Sequence, residues 1–172
     1  MKKQISWSDE IELLKKALSG EGAFLVVLDK EGKGNPMTIG WGEVGIVWSL
    51  PVFTVLVRRS RYTYLCLQSS GEFTVNVPSP GTLENELQFC GTKSGRDLDK
   101  AAACELTLIA GRKVKTPVIE ECALHYECRI LARKQLEETD FSSSDILEEH
   151  YKDDDHHMIV MGKILTAYAF NP

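Results

Sequence analysis

Three arginines in four positions, Arg58, Arg59 and Arg61, follow the apolar run VFTVLV at 52–57, with Ser60 and Thr63 interleaved. A phosphate monoester carries about −1.5 to −2 charge near neutral pH. Guanidinium groups present paired planar donors that match its oxygens, and hydroxyls fill the remaining acceptors. A helix beginning near 61 would also turn its first amides toward an anion. The plainer alternative is a solvated rim, the usual fate of a charge run. A second grouping lies upstream in Asn35 to Gly42, NPMTIGWG. A flat heteroaromatic ring needs close backbone contact, with N–H groups for its carbonyl oxygens and ring nitrogens. Gly40 and Gly42 permit that approach, and Trp41 offers an aromatic wall. Taken alone, a glycine-bearing core strand is the simpler reading.

A third segment, CGTKSGRDLDK at 90–100, brings Lys93, Ser94, the Gly95 amide and Arg96 together as a small cationic nest. It lacks the G-x-x-x-x-G-K-[ST] spacing of a Walker loop, and an exposed turn explains it equally. The remaining candidates are weaker. Asp153, Asp154, Asp155, His156 and His157 offer metal-ligand chemistry, but adjacent residues of an extended segment point to opposite sides. A solvated acidic turn is favoured there, and no metal ligands are assigned. Cys90 lies beside cations that would stabilise a thiolate, yet a buried bystander thiol is the favoured reading. His125 sits on the polar side of its strand and receives no role. No G-x-S-x-G signature is present, and no catalytic side chain is assigned.

The composition sets bounds on what these groups can serve. At 172 residues the chain is read as one domain over 1–172, with 43% hydrophobic and 26% charged residues. Its apolar runs are too short to span a membrane, and the N-terminus lacks the apolar centre of a signal peptide. Five widely spaced cysteines without C-x-x-C are expected to be reduced thiols in a cytoplasmic protein. A net charge of −5 argues against a nucleic-acid partner and makes a local arginine cluster more informative.

Hydrophobic periodicity predicts a helix over 8–18 with Ser8 as N-cap, and strands over 23–29, 37–42, 44–48, 52–57 and 72–77. Residues 30–36 are expected to form a turn, and 62–69 fits helix and strand alike. A short helix is expected over 82–89, then a polar loop over 90–100 and a short helix around 101–104. Strands follow at 106–109 and 124–130, the latter half-buried by its alternation, then a serine-capped helix over 142–151. The chain closes with a long strand over 158–170, with Gly162 as a bulge. Many short strands with few peripheral helices make the fold class mainly β, an antiparallel barrel or closed sheet.

In order along the chain, N-P-M-T-I-G-W-G, V-W-S-L-P, R-R-S-R-Y-T, F-T-V-N-V and C-G-T-K-S-G-R-D-L-D-K resemble the flavin reductase-like family, in particular its flavoredoxin-type branch. The likeness spans roughly residues 22–135 and extends more weakly to H-H-M-I-V-M-G-K-I. It implies an FMN-binding split β-barrel acting as a homodimer, with the flavin near the subunit interface. Carried across by position, Met37, Thr38, Ile39, Gly40 and Trp41 line the isoalloxazine and ribityl chain. Arg58, Ser60, Arg61 and Thr63 hold the phosphate end, with Asn35, Cys90, Lys93 and Ser94 around the same pocket. Where flavin reductases often carry Pro-Pro after the serine-bearing loop, this chain has Leu50-Pro51. The implied activity is hydride transfer from NADH or NADPH to flavin, although no Rossmann G-x-G-x-x-G is present. Two alternatives stand beside it: an electron carrier whose tightly bound FMN is reduced by a protein partner, and a non-enzymatic ligand-binding barrel.

Overall fold

The apolar runs become strands of one antiparallel sheet in the computed structural model, which describes residues 2–170. In chain order the strands are β1 (Lys2–Ile5), β2 (Ala23–Leu28), β3 (Gly34–Ile39), β4 (Gly42–Val47), β5 (Leu50–Arg58), β6 (Glu72–Val77), β7 (Leu108–Ile109), β8 (Val118–Ile119), β9 (Leu124–Gln135) and β10 (His157–Phe170). The main sheet runs β3-β2-β6-β9-β10-β5-β4, with β1 added on β10, while β7 and β8 pair apart. Every pairing is antiparallel. The path ends at β3 and β4, so the sheet is a split barrel and not a closed one.

Burial explains the strand sequences. The run AFLVVL of β2 does not alternate because both of its faces are covered. Leu25 and Val27 join the core with Phe53, Phe73 and Tyr126, while Phe24 and Val26 pack against Leu87, Ala101, Leu106 and Ile119. Pro36 is tolerated in β3 because β3 is an edge strand, where a missing N–H breaks no ladder. Gly162 falls at a register shift between β10 and β9, and a Cβ there would meet the Phe73 ring at 2.5 Å. No other residue fits that crossing.

The helices are α1 (Ile11–Leu18), α2 (Tyr62–Ser69), α3 (Glu84–Thr92), α4 (Lys100–Ala103) and α5 (Ser144–His150). No described helix is long and apolar enough to cross a membrane. Several boundaries differ from expectation. The cap of α1 is Glu10, not Ser8, because Asp9 instead accepts from the Ser6 amide in the preceding turn. Ambiguous 62–69 is helical. The turn at 30–36 ends early, and Asn35 and Pro36 lie inside β3. Helix α3 starts after Leu83, held at φ 58°, and runs through Cys90, which therefore lies on a helix and not in the polar loop. The largest correction concerns β9. His125 and Glu127, expected to face solvent, are both buried. Glu127 accepts from the amides of Arg112, Lys113 and Val114 and from the Tyr168 hydroxyl, while His125 Nδ1 meets Asn76 Oδ1 at 2.8 Å. Alternating polarity marked hydrogen-bonded burial, which a strand pattern alone does not separate from exposure.

Candidate functional site

Strands β3 and β5 lie near opposite ends of the sheet path, and the curl of the sheet turns both onto the same depression. Two cavities form there. The first, about 180 Å³, is lined by Met37, Thr38, Ile39, Gly40 and Trp41 from the β3 end, and by Leu56, Arg58, Arg61 and His157. The second, about 100 Å³, is lined by Met37, Ser60, Arg61, Tyr62, Thr63, Cys90, Thr92, Lys93, Ser94, Gly95, Arg96 and Lys100. Met37 and Arg61 belong to both.

The first cavity has an aromatic wall. Trp41, 40% exposed, packs edge-on to His150 at 5.0 Å and against His157 at 4.9 Å. His157 Nδ1 and the Tyr151 hydroxyl share a hydrogen bond of 2.8 Å, and Arg58 lies over the Tyr151 ring at 5.2 Å. Gly42 sits close to backbone as expected, but the neighbour is its own sheet: a Cβ would meet the Thr54 carbonyl oxygen at 2.8 Å. Thr38 spends its hydroxyl proton on the Leu87 carbonyl at 2.6 Å, tying β3 to α3.

The arginines divide. Arg58 donates to the carbonyls of Asp155 and His150, each at 2.9 Å, and lines only the first cavity. Grouped by sequence with Ser60 and Thr63, it is placed by the fold beside Trp41 and His157. Arg59 turns outward to Glu137 at 3.0 Å. Arg61 is anchored by one nitrogen to the Gly91 carbonyl at 2.8 Å, leaving its other N–H groups at the junction of the cavities. Ser60 is occupied: its hydroxyl donates to Asp155 Oδ2 at 2.6 Å and its amide to Oδ1 at 3.0 Å. Thr63 Oγ1 accepts from Asn35 Nδ2 at 2.8 Å, so its own proton remains to donate. Asn35 lines neither of these cavities but a larger neighbouring one, and meets the second cavity through Thr63. Arg96 donates to the Ser60 carbonyl at 3.1 Å and lies 5.6 Å from the Tyr62 ring.

Charge and backbone fit this second cavity to an anion. Its lining includes Arg61, Lys93, Arg96 and Lys100 and no carboxylate. Helix α2 opens onto it with no side-chain cap and no acid in its first turn; the Tyr64 amide is held by the Arg61 carbonyl at 3.0 Å, and the amides before it are the ones an anion would meet. Cys90 is buried, and that burial pushes its thiol up to about 12, so it stays protonated and unreactive.

Two participants were not singled out from sequence. His157 lay in a recognised segment, H-H-M-I-V-M-G-K-I, but its neighbour His156 is equally a histidine, and only the strand register separates them. His156 packs between Phe141 and Tyr151, away from the cavity lining. Lys100 ends a polar run whose composition signals exposure, yet it is 3% exposed.

Burial and the Arg58 charge hold the His157 imidazole down at about 4, and burial with Lys2 holds His125 at about 3. Both are depressed below an unfolded value near 6.5, so the unfolded chain binds the extra protons. Stability is therefore fully present above about pH 6.5 and is expected to fall from there toward about pH 4. Urea midpoints measured from pH 7 to 5, where carboxylates remain ionised, check this; a flat profile contradicts it. His157→Gln is expected to remove part of the slope.

A curled antiparallel sheet with these joined cavities defines the flavin reductase-like class of split barrels. The chain belongs to the flavin reductase like domain family, whose family model matches residues 19–171. An uncharacterized protein of Archaeoglobus fulgidus is 37% identical over 108 residues, covering 63% of this chain and 59% of its own length. The chain thus matches less than two thirds of that relative. Among solved structures, the flavoredoxin from Methanosarcina acetivorans superposes with a TM-score of 0.69 and 27% identity, over 87% of this chain and 68% of that one. The flavoredoxin of Desulfovibrio vulgaris (Miyazaki F) has the same fold, with a TM-score of 0.68 and 21% identity over 87% and 69% of the two chains.

Proposed function

We propose that the joined cavities hold FMN, with the ring along Met37–Trp41 and the phosphate among Arg61, Thr63, Lys93, Ser94 and Arg96, and that the protein is an NAD(P)H-dependent flavin reductase acting as a homodimer. The observation that carries this is the sharing of Met37 and Arg61 between an aromatic-walled cavity and an acid-free cationic one. One ligand with a flat end and a dianionic end matches both halves. When bound, the flavin supplies the hydride chemistry. The chain's own residues bind and orient. Arg61 spans the two ends, uncapped α2 amides complement the anion, and the Asn35–Thr63 bond fixes the phosphate-side floor. Trp41 and neutral His157 form one wall of the ring site, and no side chain need act as a general base. Trp41 at the first cavity, and Ile46 and Trp48 toward the turn of the β4–β5 hairpin, are exposed apolar side chains, which suits a second subunit.

Kinship with flavoredoxins favours one competing reading, an electron carrier with tightly held FMN reduced by a protein partner. The absorbance spectrum of purified protein is the first test. Bound-flavin bands, or their appearance on adding FMN, are expected, and a protein that takes up no FMN overturns both readings. NADH and NADPH oxidation with and without added free FMN then separates them. Turnover that scales with free FMN supports the reductase; none from either nucleotide supports the carrier.

A further inference from the structure

We infer that Lys100 is a buried phosphate ligand, approaching the anion from beneath the cluster formed by Arg61, Lys93 and Arg96. Lys100 opens the short helix α4 and is 3% exposed. Its ammonium has three protons to donate, yet among the described residues its one hydrogen bond is to the neutral carbonyl of Cys90, at 3.2 Å. No carboxylate among the described residues forms an ion pair with it. Neighbouring Asp99 is committed elsewhere: it accepts from the Ala102 amide and pairs with Lys33 at 2.9 Å. An unpaired buried cation is costly, and burial, with the Arg61 charge adding to it, pulls this amine below its ordinary range. A dianion in the adjoining cavity would supply the missing partner.

Two cavities touch Lys100, and their linings decide where that anion sits. The larger, about 480 Å³, carries Asp29, Glu31, Asp97 and Asp99, which repel a phosphate. The smaller one has no carboxylate, three further cations and the open end of α2. Lys100 therefore differs from its neighbours in kind. Arg61, Lys93 and Arg96 are exposed and lose most of their charge interaction to solvent, whereas an ammonium in a buried site acts at closer to full strength.

This inference rests on the FMN reading, and the experiment separates the two. Apo-protein of the wild type, Lys100→Met and Lys100→Gln is titrated with FMN and with riboflavin, following flavin fluorescence, and each apo form is unfolded in urea. Methionine keeps the bulk of the stem without charge; glutamine keeps an N–H donor for the Cys90 carbonyl without charge. Both variants are expected to bind FMN roughly ten- to a hundredfold more weakly, with riboflavin unchanged and Lys100→Met apo-protein at least as stable as wild type. A wild type that binds neither flavin overturns the FMN reading, and the inference falls with it. A wild type that prefers FMN while both variants match it overturns Lys100 alone. Equal losses for both flavins with a weakened apo-protein mark a structural lysine and overturn the inference as well.

Discussion

Arg61→Ala is expected to weaken FMN binding by roughly ten- to a hundredfold while riboflavin binding changes far less, since only FMN carries the phosphate. The lost charged hydrogen bond corresponds to about 1.5–3 kcal/mol. Among the three clustered arginines Arg61 alone reaches the cationic cavity, and its single bond to the Gly91 carbonyl positions the guanidinium without consuming it. Arg58→Ala makes the informative contrast. Its guanidinium holds the carbonyls of His150 and Asp155, so its loss should loosen the segment bearing Tyr151 and His157 and weaken both flavins alike. Arg59→Ala removes an exposed pair with Glu137 and should change neither affinity. Parallel titrations of the three variants with both flavins check the ordering. Equal losses for FMN and riboflavin in Arg61→Ala would take Arg61 out of the phosphate role.

Much of the scaffold was legible because its signals are local. β-branched runs bounded by glycine and proline located β2, β5 and β6, and five ordered segments pointed to the family. The division of labour within the arginine cluster was not legible. Arg58, Arg59 and Arg61 look alike in sequence, and what separates them is how β5 ends, which turns one toward Trp41, one toward Glu137 and one toward the α3 carbonyl at Gly91. Ser60 was hidden for a similar reason. Its partner Asp155 lies 95 positions away, in an acidic run that composition assigns to solvent. Polar residues in buried places misled most. His125 and Glu127 were placed on the polar face of a strand, and Lys100 at the end of a polar loop, because hydrophobicity patterns register side-chain type and not the distant groups that satisfy it.

Those distant partners also explain how a split sheet can maintain a two-part site. The cavities are built from β3 and β5, which share no ladder, so their spacing depends on what bridges them. Asn35 on β3 reaches Thr63 on α2, Arg61 reaches Gly91 on α3, and Thr38 on β3 reaches Leu87 on the same helix. Helix α3 is thus bound to both sides of the site. A change at one bridge should be felt at the cationic cavity even where the altered residue does not line it.

Gly95→Ala tests that coupling. The glycine has ordinary backbone angles, so the constraint is steric. An added methyl group would fall on the Asn35 carboxamide oxygen, and within 2.9 Å of the Tyr62 ring. Asn35 cannot swing aside without giving up its bond to Thr63 Oγ1, and Tyr62 is backed by Arg96. The loop must therefore move outward, carrying Ser94 and Arg96 with it. Overpacking of this kind costs about 1–3 kcal/mol of stability. FMN affinity is expected to fall at least roughly tenfold, more than riboflavin affinity, because the displaced groups line the cationic cavity proposed for the phosphate. Gly71→Ala is the control, since nothing lies within 4 Å of the added carbon there. Adding Asn35→Ala to Gly95→Ala removes the obstructing oxygen and should restore part of the lost stability, although the Thr63 anchor is gone. Urea unfolding and paired flavin titrations of the three variants and the wild type decide it. If Gly95→Ala behaves like Gly71→Ala, the loop is free to move and its contact with Asn35 does not position the site.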